Sequence, residues 1–162
     1  ELLDSVIPFW MNHSKDTVSG GYFTCLDRRG GVFDTDKFMW LQGREVWLFS
    51  TLYNKVEKKQ EWLDMALHGA EFMKKYGMDA QGNWYFSLTR EGKPLVQPYN
   101  IFSDCFAAMA FSELYKATGD ENHKQIALNT FANIQKRQDN TKGIYNKAYP
   151  GTWRYSITRN RA

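Results

Sequence analysis

Apolar residues recur along this chain at helical spacing, in two distinct ways. Over 62–76 they form one stripe of Trp62, Met65, Ala66, Gly69, Ala70, Phe72 and Met73, while Asp64, His68, Glu71, Lys74 and Lys75 take the opposite side. That is the pattern of a helix with a single buried face. Over 37–56 the apolar positions run nearly all round the helix (Phe38, Met39, Trp40, Leu41, Val46, Trp47, Leu48, Phe49, Leu52, Tyr53), which predicts a helix covered on every side. The expected unit is thus a buried inner helix followed by an outer one. It occurs twice, with inner helices over about 37–57 and 99–118 and outer helices over about 61–76 and 121–138. Residues 2–13 read as the outer helix that precedes the first complete unit.

The two units are copies. A shift of 62 residues places Gly20 on Gly82, Leu26 on Leu88, Arg28 on Arg90 and Gly30 on Gly92, then Phe49, Ser50, Leu52 and Tyr53 on Phe111, Ser112, Leu114 and Tyr115. No gap is needed, and a fixed period of this kind marks a repeat architecture. Each unit opens with a short aromatic strand (21–27, then 83–89), turns at a glycine and returns as a hairpin before its inner helix. Gly119 and Asp120 stop one helix and cap the next. The predicted fold class is all-α: helical-hairpin repeats of the closed α/α-toroid type, incomplete, with short β-hairpins between helices. A third unit begins at Gly143 and dissolves by Thr152. The expected division is therefore 1–152, about two and a half repeats, and an irregular basic tail over 153–162. Five helices do not close a ring, and neither end carries a polar cap. The chain reads as truncated, or as one whose exposed helix edges pair in a homodimer.

Composition narrows the function classes. The 162 residues include 6 Trp, 9 Tyr and 11 Phe, an aromatic share of 16%, which suits either a densely packed core or a cleft walled by flat rings. Net charge is +3, and the basic residues gather only after Asp139. Without a basic helix or a base-stacking module, no nucleic-acid partner is expected. Cys25 and Cys105 have no CxxC or Cys/His spacing, so no metal site is implied. No apolar run approaches the roughly 20 residues of a membrane helix, and the start is acidic and amphipathic rather than a signal peptide. A cytoplasmic protein with no cofactor and no membrane partner is expected.

The longest motifs are Phe9-Trp10-Met11-Asn12-His13-Ser14-Lys15-Asp16, Gly20-Gly21-Tyr22-Phe23-Thr24-Cys25-Leu26-Asp27 and Lys37-Phe38-Met39-Trp40-Leu41-Gln42-Gly43-Arg44-Glu45-Val46-Trp47. Ile101-Phe102-Ser103-Asp104-Cys105-Phe106 and Glu113-Leu114-Tyr115-Lys116-Ala117-Thr118-Gly119 add to them. Together these resemble the N-acylglucosamine 2-epimerase family, which includes renin-binding proteins and is related to cellobiose 2-epimerases and aldose–ketose isomerases. The resemblance runs over about 3–152 and fails after Thr152. It implies an (α/α)6 barrel, an amino-sugar or hexose substrate, and isomerase chemistry. A hexose opens, a base takes the C2 proton, and an acid returns one to the opposite face, the pair being two histidines later in the barrel. The chain would be inactive alone. The alternatives are a non-enzymatic carbohydrate-binding or dimerising module and a related isomerase or cellobiose 2-epimerase.

Arg44 is the candidate catalytic residue. A guanidinium within so apolar a helix must be paired, for instance with Asp36 or with Glu45 of a neighbouring repeat, or must face a polar cavity. In the second case it suits binding of the sugar's O1 and O2 and of a developing enediolate. Gly43 beside it signals a close helix approach or room for a ligand. Trp40 and Phe102 are repeat counterparts, as are Gln42 and Asp104, and all four are candidate substrate-binding residues near the start of inner helices. The rings stack on a pyranose or pack in the core, and Asp104 accepts sugar hydroxyls or complements the helix dipole. His68 and His123 are expected to face solvent and His13 to cap the first helix.

Overall fold

The computed structural model describes residues 1–98 and 101–137. A π-helical turn, Leu2–Val6, leads into α1, Ile7–His13. There follow β1, Cys25–Leu26; β2, Val32–Asp34; β3, Lys37–Phe38; α2, Met39–Lys55; and α3, Gln60–Tyr76. The second unit contributes β4, Ser87–Leu88; β5, Pro94–Val96; α4, Phe102–Thr118; and α5, Glu121–Lys136. The third unit, the tail over 153–162 and the expected start of the second inner helix at Tyr99 lie outside the described residues.

The repeat is visible in the backbone. The hairpins β1–β2 and β4–β5 are antiparallel and related residue for residue by the 62-residue shift. Gly20 and Gly82 have φ of 85° and 80°, Gly30 and Gly92 of 85° and 88°. This left-handed region strains any residue with a Cβ, so both turns need glycine. Gly119, at φ 69°, ends α4, and the Asp120 carboxylate accepts from the Asn122 N–H at 2.9 Å to start α5.

The inner helices α2 and α4 pack side by side, α3 lies along the outside of α2, and α5 along the outside of α4. Gly43 is a point of close approach within the inner pair. A Cβ built there would stand 3.0 Å from the backbone carbonyl carbon of Phe106, so the glycine serves helix approach. Nearer the other end, Asn54 donates to the Glu113 carbonyl at 2.9 Å and to its carboxylate at 3.0 Å. Val46, Phe49, Ala107, Ala110 and Phe111 are sealed in the core cluster around this pair. A Gly43→Val variant is expected to push α2 and α4 apart and lose about 1–3 kcal/mol. Urea denaturation measures this, and an unchanged midpoint would contradict the close-approach reading.

Lys37, expected to open the inner helix, instead lies in β3, paired with Leu88 of β4. The physical reason is its ammonium. Lys37 Nζ is fully buried, 3.0 Å from Asp16 Oδ2 and 3.0 Å from the Gly20 carbonyl, with the Phe23 ring 4.5 Å away. Asp16 is equally buried and also takes a two-pronged contact from Arg90, Nε at 2.9 Å and Nη2 at 3.0 Å. The Val18 and Ser19 amides donate to it as well, each at 3.1 Å. Burial alone would raise the Asp16 carboxyl, but the Arg90 and Lys37 hydrogen bonds prevail and hold it well below the usual carboxylate range. This ion cluster fixes the chain two residues before α2 begins, and it ties the second unit's hairpin to the first unit's loop.

Candidate active site

Trp40, Gln42 and Arg44 are carried by α2, Phe102 and Asp104 by α4. The structure groups Trp40 with Arg44 and separates the others from them. Arg44 is exposed. Its guanidinium lies 5.7 Å from the Trp40 ring centre and 5.3 Å from that of Phe106, two rings that also face each other at 6.3 Å. No carboxylate among the described residues comes within ion-pair reach of it, so neither Asp36 nor Glu45 holds it. The cation is steadied by aromatic faces while its N–H donors stay available. Phe106 was not singled out in the sequence; its place one helical turn beyond Phe102 gave no sign that it would meet Arg44.

Gln42 and Asp104 share a different task. Gln42 is fully buried, and its amide accepts from the Tyr22 N–H and donates to the Tyr22 carbonyl, both at 2.8 Å. Asp104, also fully buried, stands at the counterpart position, 3.5 Å from the Trp84 N–H and 2.6 Å from Arg137. Burial pushes its carboxyl up, against the pull of Arg137. Both residues brace the aromatic residue of their unit's loop against its inner helix. Tyr22 and Trp84 in turn reach the outer helices, through the Met65 carbonyl at 2.5 Å and the Thr130 hydroxyl at 3.0 Å. Phe102 is 62% exposed at the first residue of α4.

A cavity of about 340 Å³ opens beside Arg44, walled by Trp10, Thr24, Leu41, Glu45, Trp47 and Leu48. Its acidic member is Glu45, 8% exposed, which accepts a hydrogen bond from the Ser14 hydroxyl. Burial raises this carboxyl to about 8, against the opposing pulls of Ser14 and Lys37. A neutral acid therefore adjoins a cation at neutral pH, an arrangement with one donor fork and one proton-bearing oxygen. Because the folded protein holds this proton above the unfolded value of 4.5, it binds more protons than the unfolded chain between the two values. Its contribution to stability falls as pH rises across that window, by at most about 1.4 kcal/mol per pH unit. Glu45→Gln keeps a neutral partner for Ser14. It is expected to melt higher than the parent at pH 8 and to match it below pH 4.5. Parallel melting curves at every pH would refute the buried-acid assignment.

Two other grooves, of about 520 and 420 Å³, are repeat counterparts of one another. Ser19, Gly20, His68, Glu71 and Lys74 line the first, and Gln81, Gly82, Thr130, Asn133 and Lys136 the second. They are products of the unit's architecture, lying between each glycine loop and its outer helix.

The histidines differ from the solvent-facing expectation. His123 is 2% exposed, with its ring 5.9 Å from Phe111 and Nδ1 3.0 Å from the Thr118 hydroxyl. His68 is half-buried, Nε2 lying 3.0 Å from the Gly21 carbonyl. Both outer helices turn these positions toward their inner neighbours. His13 is exposed and packs on Phe9 at 4.9 Å. Among the described residues no three His, Cys, Asp or Glu side chains gather as a metal site, and no helix is long and apolar enough to cross a membrane.

The family model for N-acylglucosamine 2-epimerase (GlcNAc 2-epimerase) matches residues 21–161. The chain is similar to the N-acylglucosamine 2-epimerase of Mus musculus, 45% identical over 130 residues, which cover 78% of this chain and 31% of that protein. It is also similar to the cellobiose 2-epimerase of Ruminococcus albus, 33% identical over 156 residues, covering 95% and 39%. Among solved structures, a sugar epimerase from a ruminal bacterium matches with a TM-score of 0.78 and 32% identity, covering 91% of this chain and 38% of that one. The cellobiose 2-epimerase from Bacillus thermoamylovorans B4167 matches at 0.74 and 26%, covering 88% and 37%. These neighbours are (α/α)6 barrels, and the helical pairs described above are an incomplete toroid of that kind. The chain spans about a third of the length of the curated relatives it matches.

Proposed function

Because the chain belongs to the N-acylglucosamine 2-epimerase family, we propose that it supplies the sugar-gripping wall of an enzyme inverting C2 of an N-acylated amino sugar. The single observation that carries the proposal is Arg44: an exposed guanidinium on an inner helix, set by two aromatic rings rather than by a carboxylate. In the open-chain sugar the C2 proton is acidic because loss of it delocalises charge onto the C1 carbonyl oxygen. The resulting enolate carries its negative charge on O1, with the acylamino nitrogen on the neighbouring C2, and a guanidinium can meet that oxygen with its N–H donors. Trp40 offers a flat face beside that grip. Removal of the proton to a base and its return from an acid on the opposite face complete the inversion with no net change in atoms. The acid and base belong, in this proposal, to the part of the ring that the chain does not span. Higher identity to the N-acylglucosamine enzymes than to the cellobiose enzymes, 45% against 33%, favours the amino sugar.

The test is a chimaera in which this chain replaces the matching 130-residue region of the mouse enzyme. Interconversion of N-acetylglucosamine and N-acetylmannosamine in D2O is expected, with deuterium entering at C2. A folded chimaera that exchanges nothing at C2 would overturn the proposal, and one acting on cellobiose alone would overturn the amino-sugar assignment. The 162-residue chain by itself is expected to give no turnover, and measurable epimerisation by the purified chain would refute that.

A further inference from the structure

Arg44 and Phe106 are counterparts under the 62-residue shift, and they meet across the seam between α2 and α4. At this level of the inner helices one unit carries the cation and the other a ring against it. The two rings that touch Arg44 fix different things. Trp40 lies one turn earlier on the same helix, so its contact at 5.7 Å travels with α2 wherever α2 stands. Phe106 belongs to α4, and its contact at 5.3 Å refers the guanidinium to the second unit.

The neighbouring residues make that contact possible. Gly43 has no side chain, and a Cβ there would meet the Phe106 carbonyl carbon at 3.0 Å and its Cβ at 3.2 Å. The bare backbone at Gly43 therefore brings the foot of Phe106 into the seam, and its half-buried ring lands beside the next residue of α2, Arg44. Two residues before each partner, both helices are locked in rotation: Gln42 by the Tyr22 backbone and Asp104 by Arg137. What is left to fix is the arginine side chain itself. It has several rotatable bonds, and no carboxylate among the described residues restrains them. A carboxylate would also occupy the N–H donors, whereas a ring restrains the cation through its face and leaves those donors for a ligand oxygen.

We propose that Phe106 is a positioning residue for Arg44. It holds the guanidinium at the meeting of the two inner helices, and so makes the grip on the substrate oxygen depend on the fit between α2 and α4. The kinetic consequence rests on the role given to Arg44 above; the hold itself does not.

The hold is read in the full chain from the Arg44 Nε–H resonance, assigned by its loss in Arg44→Met. Ring currents from two aromatic faces displace it from the position of a free arginine side chain. Phe106→Leu keeps an apolar side chain in the seam but loses the ring, and should move the resonance toward the free position. Phe106→Tyr keeps the face and should leave it in place. Both variants are expected to keep the parent's circular dichroism. The consequence is read in the mouse-enzyme chimaera. There Phe106→Leu should lower kcat about tenfold, because a loosened guanidinium is misplaced for the reaction, while KM changes less than about twofold. Phe106→Tyr should restore the rate. In an Arg44→Met background the leucine substitution should cost no further rate, since a ring acting only through Arg44 has nothing left to hold. A ring that merely fills the seam would slow both backgrounds alike. A resonance or a kcat that ignores Phe106→Leu, or equal losses in the two backgrounds, would overturn the proposal. A chimaera with no exchange at C2 would instead remove the reaction proposed above, and the resonance alone would then decide the hold.

Discussion

Replacing Asp16 by alanine is expected to cost the chain about 3–5 kcal/mol, the range for removing one partner of a buried ion cluster. The size follows from what is left behind. Lys37 is fully buried, with Asp16 as its counter-ion and the Gly20 carbonyl its other hydrogen-bond partner, so its ammonium would lie unneutralised in the interior or lose its proton. Arg90, 34% exposed in its side chain, can turn to water, so Arg90→Met should cost markedly less. Asp16→Asn separates the two duties of the residue, because the amide oxygen can still accept from Val18 and Ser19 while the charge is gone. Urea denaturation of the three variants gives the comparison. Equal losses for Asp16→Asn and Arg90→Met would mean that Lys37 does not need its counter-ion. The same carboxylate sets an acid limit. Its folded pKa is depressed, so its contribution is complete above the unfolded value near 3.8 and disappears as pH falls further.

The second large effect concerns chemistry. In the mouse-enzyme chimaera, Arg44→Met is expected to lower kcat about 10²–10³-fold, the usual effect of deleting one donor to a developing oxyanion. KM should change far less, because the grip tightens only as charge develops on O1. Arg44→Lys should recover little. An ammonium keeps the charge but loses the planar fork, and with it the stacking between Trp40 and Phe106. Steady-state rates, read together with deuterium incorporation at C2, check both substitutions. A methionine variant with near-parental kcat would remove Arg44 from the reaction.

Much of the architecture was legible because the repeat is written in backbone chemistry as well as in apolar spacing. Glycines with positive φ recur at Gly20 and Gly82 and at Gly30 and Gly92, and they fix the turns so firmly that the strands follow the 62-residue period without error. Arg44 stood out in the sequence for a related reason, that a cation on an otherwise apolar helix needs a physical account; the structure adds that it is exposed beside Trp40 and Phe106. The roles around it were harder to read. A helix that is apolar on all sides does not reveal which stripe faces the lumen, so Gln42 and Asp104 stood out as counterparts while their bonds to the Tyr22 and Trp84 backbone did not. His123 lies among Glu121, Asn122 and Lys124, a polar neighbourhood in sequence. Yet α5 is turned so that His123 and Thr130 face inward. The Asp16 cluster left no local trace, because its partners lie 21 and 74 residues away.

That 74-residue reach has a consequence for how the chain is made. Synthesis proceeds at about 5–20 residues per second, so the first unit emerges seconds before Arg90 and β4 exist. During that interval β3 has no strand partner and Asp16 and Lys37 lack the hairpin that covers them. Gly43 likewise presents bare backbone where Phe106 will rest. The first unit is thus not a self-sufficient folding step. The two units mature together, once the second hairpin closes over the first.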